Sequence, residues 1–410
     1  MNTSANDMHF LIPDIFGEEP RGLFYQHLKE KYPVYNRLSN FCSDNENEKN
    51  KIIRAAKKTL DLIINKTVSS LKPKYISKLF YEDRFDGVEL LFGNCPVFNE
   101  KNNDYGKLRK YENYNKCVNV LAGHASFEDH HPVMKNSEFN LAYASEKDAV
   151  KIMHEQIALL NQLSNCNKDN DYRSKNKIFN MHLGKLDDFS SDDYKPKKLE
   201  HITGIIKKLD NLAKYHKCII SIENLDVAKK GYNLGSKIED LRFVFDKVPD
   251  LGMTFDIGHV DSVMHEFSNH CEMKDPVSFF RKYQLNYLNT FSDKIVYAHL
   301  YYNDVFFNNK EHDSYYGSKG MHLPLTRMQS IDYSYVYDEV LTKLFSIMEK
   351  NCKEKNIVPC VTLEIPQNKA KFLFFNIEMV KDGATVGEQI ESLKRIKFAY
   401  QKYNMTKRNF

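Results

Sequence analysis

Short apolar runs rich in Val, Ile, Leu and Phe recur along the chain at 8–14, 86–92, 117–123, 177–183, 218–224, 251–257, 294–300 and 360–366. Such runs, without strict polar alternation, suit parallel strands, whose sheet is covered on both faces. Amphipathic stretches at 47–71, 145–163, 197–216, 236–248, 332–350 and 385–403 predict helices between them. Ser145, three residues before Asp148, reads as the capping pair of the second. Strand and helix alternate, and eight strands close a barrel, so the pattern predicts an α/β chain folded as a (β/α)8 TIM barrel. Such a barrel takes about 250 residues. The surplus in a chain of 410 is expected in long loop insertions at 164–176, 301–330 and 366–384 and in an extra N-terminal helical segment at 15–80. No stretch reads as an interdomain linker, so one barrel domain over 1–410 is expected.

Composition narrows the class. Lys+Arg number 59 and Asp+Glu 55, a balance unlike the basic footprint of a protein held mainly by phosphates. With 42% hydrophobic residues the chain can bury a large core, which excludes wholesale disorder. No apolar run approaches the roughly 20 residues that cross a bilayer, so no membrane partner is expected. The opening MNTSANDMHFLIPDIFGEEP lacks a basic region followed by an apolar one, and no secretory leader is expected. Eight cysteines are scattered without a CxxC pair, several inside apolar runs, which points to a reducing, cytoplasmic compartment. A homo-oligomer is left open.

The chemistry shows in where polar residues interrupt the apolar runs. His124 follows the third run, and His182, Glu223, Asp256, His299 and Glu364 fall at or near the ends of the fourth to the eighth. Strand C-termini are where a (β/α)8 barrel builds its active site. One such residue would more often be a cap or a buried hydrogen-bonding group. Three carboxylates converging in a low-dielectric mouth would repel one another unless protons or a cation neutralised them. A bound divalent metal is therefore expected.

The motifs FDGVELLF, NMHLGK, SIENLD, TFDIGHVDS, YAHLYYND, MHLPL and VTLEIP, in this order, resemble the xylose isomerase-like TIM barrels over about 80–403. That superfamily contains sugar isomerases and epimerases and the endonuclease IV-type (AP endonuclease family 2) enzymes. The resemblance implies that Glu223, Asp256, His299 and Glu364 hold one metal, Mn²⁺ or Mg²⁺ with Zn²⁺ or Co²⁺ as alternatives. It also implies that Glu223 and Glu364 act as the catalytic pair, exchanging the proton of a small sugar-like substrate. His124 and His182 match positions that bind a second ion in the endonucleases, and His259 and His322 match ligands of a third. His259 also corresponds to a substrate contact in the sugar enzymes. The third set departs from its pattern, because Gly320 stands where an aspartate precedes the histidine by two; Asp304 or Asp313 could substitute.

Two functions follow as expectations. FDGVELLF with Glu89 resembles the second strand of sugar isomerases, and LFGNCP lacks the arginine that the endonucleases carry there. The leading expectation is a metal-dependent isomerase or epimerase. GYNLGSKIEDL resembles the endonucleases instead, and phosphodiester hydrolysis at abasic DNA is the alternative, with nucleic acid as partner only in that case. The 301–330 loop balances Asp304, Glu311 and Asp313 against Lys310, Lys319 and Arg327. Its Tyr301, Tyr302, Phe306, Phe307, Tyr315 and Tyr316 suit either a lid over a small ligand or packing onto the barrel.

Overall fold

The eight apolar runs are the eight strands of a closed parallel barrel. The computed structural model describes residues 8–13, 85–92, 119–125, 140–165, 170–186, 194–227, 231–268, 275–303, 322–328, 330–365, 369–372, 375–378 and 384–408. The strands are β1 (His9–Pro13), β2 (Gly87–Leu91), β3 (Val120–His124), β4 (Lys177–Met181), β5 (Cys218–Glu223), β6 (Gly252–Asp256), β7 (Ile295–Leu300) and β8 (Cys360–Leu363). Each pairs in parallel with its neighbours in chain order, and β1 pairs with both β2 and β8. The fold is a (β/α)8 TIM barrel. The stretch 14–84, with the 15–80 segment and the helix expected at 47–71, lies outside the described residues.

The helices are α1 (Glu146–Ser164), α2 (Tyr194–Tyr215), α3 (Ile238–Lys247), α4 (Ile257–Ser268), α5 (Pro276–Thr290), α6 (Ile331–Glu354) and α7 (Val386–Arg408). In α1, Ala149, Met153, Ile157, Leu160 and Leu163 recur at helical spacing and are all buried. The Ser145 hydroxyl accepts the Asp148 N–H at 3.1 Å, as the sequence predicts. Hydrophobic periodicity does not predict α4 and α5. α4 starts at the residue after β6, so strand and helix share one apolar run, TFDIGHV. α5 opens on Asp275-Pro276, an N-cap and a first-turn proline: the Asp275 carboxylate accepts the Ser278 N–H at 3.1 Å. The segments expected as loops also carry structure. Asn170–Ser174 is a short helix, and Lys369–Phe372 pairs antiparallel with Phe375–Glu378.

A second capping pair ties α7 to the base of the loop after β7. The Glu388 N–H donates to the Thr385 hydroxyl at 3.1 Å, and the Thr385 N–H donates to Glu388 at 2.8 Å. Arg327 grips the same carboxylate through Nε at 2.8 Å and Nη2 at 3.1 Å. Arg327, with the capping hydrogen bonds and against partial burial, holds the Glu388 carboxyl down at about 2. A depressed carboxyl stabilises the fold above its unfolded value and loses that effect as pH falls through the folded value. Glu388→Gln should therefore lower stability by about 1 kcal/mol at pH 7. In thermal melts, the difference from the parent should shrink as pH falls from about 4.5 towards 2. A difference independent of pH would show that the charge plays no part.

Candidate metal centre

Side chains alternate along a strand, so residues two apart face the same side. Beneath the mouth, the Ser221 and Thr254 hydroxyls lie 2.7 Å apart, and the Tyr297 hydroxyl bonds Thr362. Two residues further along the same strands stand Glu223, Asp256, His299 and Glu364. The barrel thus carries a layer of hydroxyls under a layer of carboxylates and imidazole. Register irregularities between Val88 and Glu89 and between Met253 and Thr254 fall next to this layer.

All eight residues singled out in the sequence come together here. His299 Nδ1 lies 3.2 Å from Glu364 Oε2, 3.5 Å from Glu223 Oε2 and 3.7 Å from Asp256 Oδ2. Glu223 Oε2 also lies 3.3 Å from His124 Nε2 and 3.5 Å from His182 Nε2, while its Oε1 lies 3.4 Å from His259 Nδ1. His322 Nδ1 sits 3.1 Å from the Glu364 carbonyl and 3.7 Å from its carboxylate. Three groups of potential ligands overlap: His124, His182 and Glu223; Glu223, Asp256 and His259; and Asp256, His299 and Glu364.

Burial makes this arrangement expensive without a cation. Glu223 is 2% exposed and Asp256 fully buried. The carboxylate ion pairs of the centre are with histidine, not with lysine or arginine, among the described residues. Asp256 Oδ2, His299 Nδ1 and Glu364 Oε2 are buried and make no hydrogen bond. Such atoms are costly to leave unsatisfied. Metal–ligand bonds of about 2.1 Å put ligand atoms roughly 3.0–3.4 Å apart, close to the spacing here, so a divalent ion fits the donor set. Protons answer the same field in its absence. Burial alone would lower the His299 pKa, but Glu89, Glu223 and Glu364 raise it well above the ordinary value. His259, half-buried, is pushed up to about 9: Asp256, Asp226 and Glu223 outweigh its desolvation. Glu364 is held at about 2, since His299 and His322 outweigh its desolvation.

Supporting groups fix the ligand atoms. Asp256 Oδ1 accepts the His259 N–H at 2.8 Å and so caps α4, which leaves Oδ2 for the centre. The Asn224 side chain accepts the Asp256 N–H at 2.8 Å and donates to its carbonyl at 2.9 Å. Asn180 donates to Glu223 at 2.5 Å. His124 Nδ1 lies 2.9 Å from the Ala125 carbonyl, so Nδ1 donates and Nε2 faces Glu223. Glu89 lies 3.2 Å from His299 Nε2 and turns Nδ1 towards the carboxylates.

Sequence reasoning does not assign Glu89, Asn180, Asn224 or Tyr301 to the centre. Glu89 carries a detectable signal, a charge in the middle of the apolar strand DGVELLF. Of the loop aromatics, Tyr301 and Tyr302 are 2% and 1% exposed and pack onto the barrel, so they form no lid. Phe306, Phe307, Tyr315 and Tyr316, with Asp304 and Asp313, lie outside the described residues. Cys218, Cys352 and Cys360 are buried free thiols. No helix among the described residues is long and apolar enough to cross a membrane.

No family model matches the chain, and no curated protein matches its sequence. Among solved structures it is similar to a D-tagatose 3-epimerase-like protein, with 17% identity and a TM-score of 0.47 over 80% of this chain and 92% of that one. An L-ribulose 3-epimerase gives 12% and 0.44 over 82% and 91%. A xylose isomerase domain protein from Alicyclobacillus acidocaldarius subsp. acidocaldarius gives 12% and 0.45 over 80% and 94%. The likeness is one of fold alone.

Proposed function

We propose that the protein is a divalent-metal-dependent isomerase or epimerase of a small sugar or other polyhydroxylated carbonyl compound. The observation that carries this reading is the placement of two carboxylates, Glu223 and Glu364, around one nitrogen of His299, at 3.5 and 3.2 Å. Held by Glu223, Asp256, His299 and Glu364, Mn²⁺ or Mg²⁺, with Zn²⁺ or Co²⁺ as alternatives, would polarise a substrate carbonyl and stabilise the enediolate left when the adjacent proton is removed. Glu364 has 18% of its side chain exposed against 2% for Glu223; with Oε2 buried beside His299, its exposed part is the one open to a substrate in the mouth. Its low pKa keeps it ionised at neutral pH, the form that accepts a proton. Glu223 is the second member of the pair, its carboxylate oriented by Asn180.

The test is proton exchange. Protein loaded with Mn²⁺ and incubated with a panel of ketoses in D₂O should place deuterium on the carbon next to the carbonyl. No exchange across sugars and hydroxy-carbonyl acids would remove the proposal.

A second reading, metal-dependent phosphodiester hydrolysis at abasic DNA, is favoured by one observation. Glu223 stands between His124 and His182 on one side and Asp256 and His259 on the other, a donor set large enough for more than one ion. Under the first reading, an abasic-site duplex is bound weakly and not incised. Metal-dependent incision at physiological salt, abolished by His182→Ala, would put the second reading in its place.

A further inference from the structure

At the α4 edge of the centre, three residues meet in a way that the proton-transfer reading does not use. The Tyr301 ring lies parallel to His322, with centroids 3.8 Å apart and planes inclined by 9°. Gly258, the second residue of α4, lies against the phenol end of the same ring: an added Cβ would overlap Tyr301 Cε2 and Cζ. Tyr301 is 2% exposed and His322 7%, so neither ring is free to swing away. His322 in turn places Nδ1 3.1 Å from the carbonyl of Glu364 and 3.7 Å from its carboxylate. The backbone ties the two segments together, because Tyr302 and Leu323, the residues that follow Tyr301 and His322, form an antiparallel bridge with N–H to carbonyl bonds of 2.8 and 2.9 Å. The Tyr337 hydroxyl donates to the Tyr301 carbonyl at 3.1 Å.

We infer that Tyr301 is a positioning residue: its ring, seated in the space left by Gly258, holds His322 in place and through it sets the Glu364 side of the metal centre. Position 258 must then lack a side chain for a packing reason, since any Cβ would evict the ring. A ring in face contact fixes a neighbouring imidazole by dispersion and shape, which needs the aromatic face; the Tyr301 hydroxyl faces the Asp256 carboxylate, and the phenylalanine variant separates that contact from the stacking. The inference rests on the reading that the centre binds a divalent ion.

The experiment is Co²⁺ binding to the full chain, followed by titration and by the visible absorption of the bound ion, which reports ligand geometry. Loss of a group that orients a metal ligand typically weakens binding by about 10–100-fold. Tyr301→Leu should weaken Co²⁺ binding by about tenfold or more and alter the spectrum, while Tyr301→Phe stays within about threefold of the parent with the parent spectrum. Gly258→Ala should reproduce the leucine effect, and the double variant should bind no worse than either single, because both remove one interaction. Far-UV circular dichroism and the thermal midpoint identify a variant that has merely unfolded, and the phenylalanine rescue separates positioning from general packing. Parent affinity and spectrum in Tyr301→Leu would overturn the inference, as would a phenylalanine variant as impaired as the leucine one. If the parent chain binds no Co²⁺, the metal reading itself fails.

Discussion

Asp256→Asn is expected to lose stoichiometric divalent-metal binding while the fold stays intact. The two carboxylate oxygens have separate duties. Oδ1 caps α4 through the His259 N–H, and Oδ2 is buried without a hydrogen bond beside His299 and Glu364. Asparagine keeps the capping oxygen and replaces the other with an NH₂ group, which cannot bind a cation. Metal affinity should fall by at least about 100-fold, beyond the usual effect of losing a group that only orients a ligand. Removing one of several crowded carboxylates also relieves repulsion, so the metal-free variant should be no less stable than the metal-free parent. Asp256→Ala removes the cap as well and should lose about 1 kcal/mol in addition. His299→Ala is a second route to the same loss of metal, with Glu89 left unpaired. Metal content by elemental analysis decides the matter. Full stoichiometry in both Asp256→Asn and His299→Ala would remove these residues from any metal centre.

The other large effect is expected at Glu364. Glutamine at this position keeps a carbonyl oxygen near His299 but cannot accept a proton. Deuterium exchange into substrate should fall by about 10²–10⁴-fold. Metal binding should be weakened less than by Asp256→Asn, since Glu223, Asp256 and His299 remain as ligands. Measuring both quantities on one preparation separates the roles. A rate loss no larger than the loss of bound metal would make Glu364 a ligand only, and the base would have to be sought elsewhere.

The barrel was legible in the sequence because its strands are short apolar runs joined by amphipathic stretches, and because consecutive strand–helix–strand units become neighbours in a parallel sheet. The observed order, each strand beside its chain neighbours and β1 beside β8, is that rule carried to closure. α4 was hidden because it opens at the residue after Asp256 within the same apolar run. α5 could have been read from Asp275-Pro276, a cap rather than a periodicity.

The ligand types, and the end of the barrel at which they gather, follow from the order of residues alone. His124, Glu223 and Asp256 end their strands, His299 comes one residue before the end of its strand, and His182 and Glu364 follow theirs directly. In a parallel barrel all such positions meet at one mouth, so strand period and direction suffice to bring them there. How they share one another depends on packing in three dimensions. Glu223 divides its oxygens between His124 and His182 on one side and His259 on the other, Glu89 reaches His299 from another strand, and Tyr301 stacks on His322 where only a glycine at 258 leaves it room. These contacts join residues far apart in the chain, and they depend on barrel register and side-chain rotamers, which sequence periodicity does not encode.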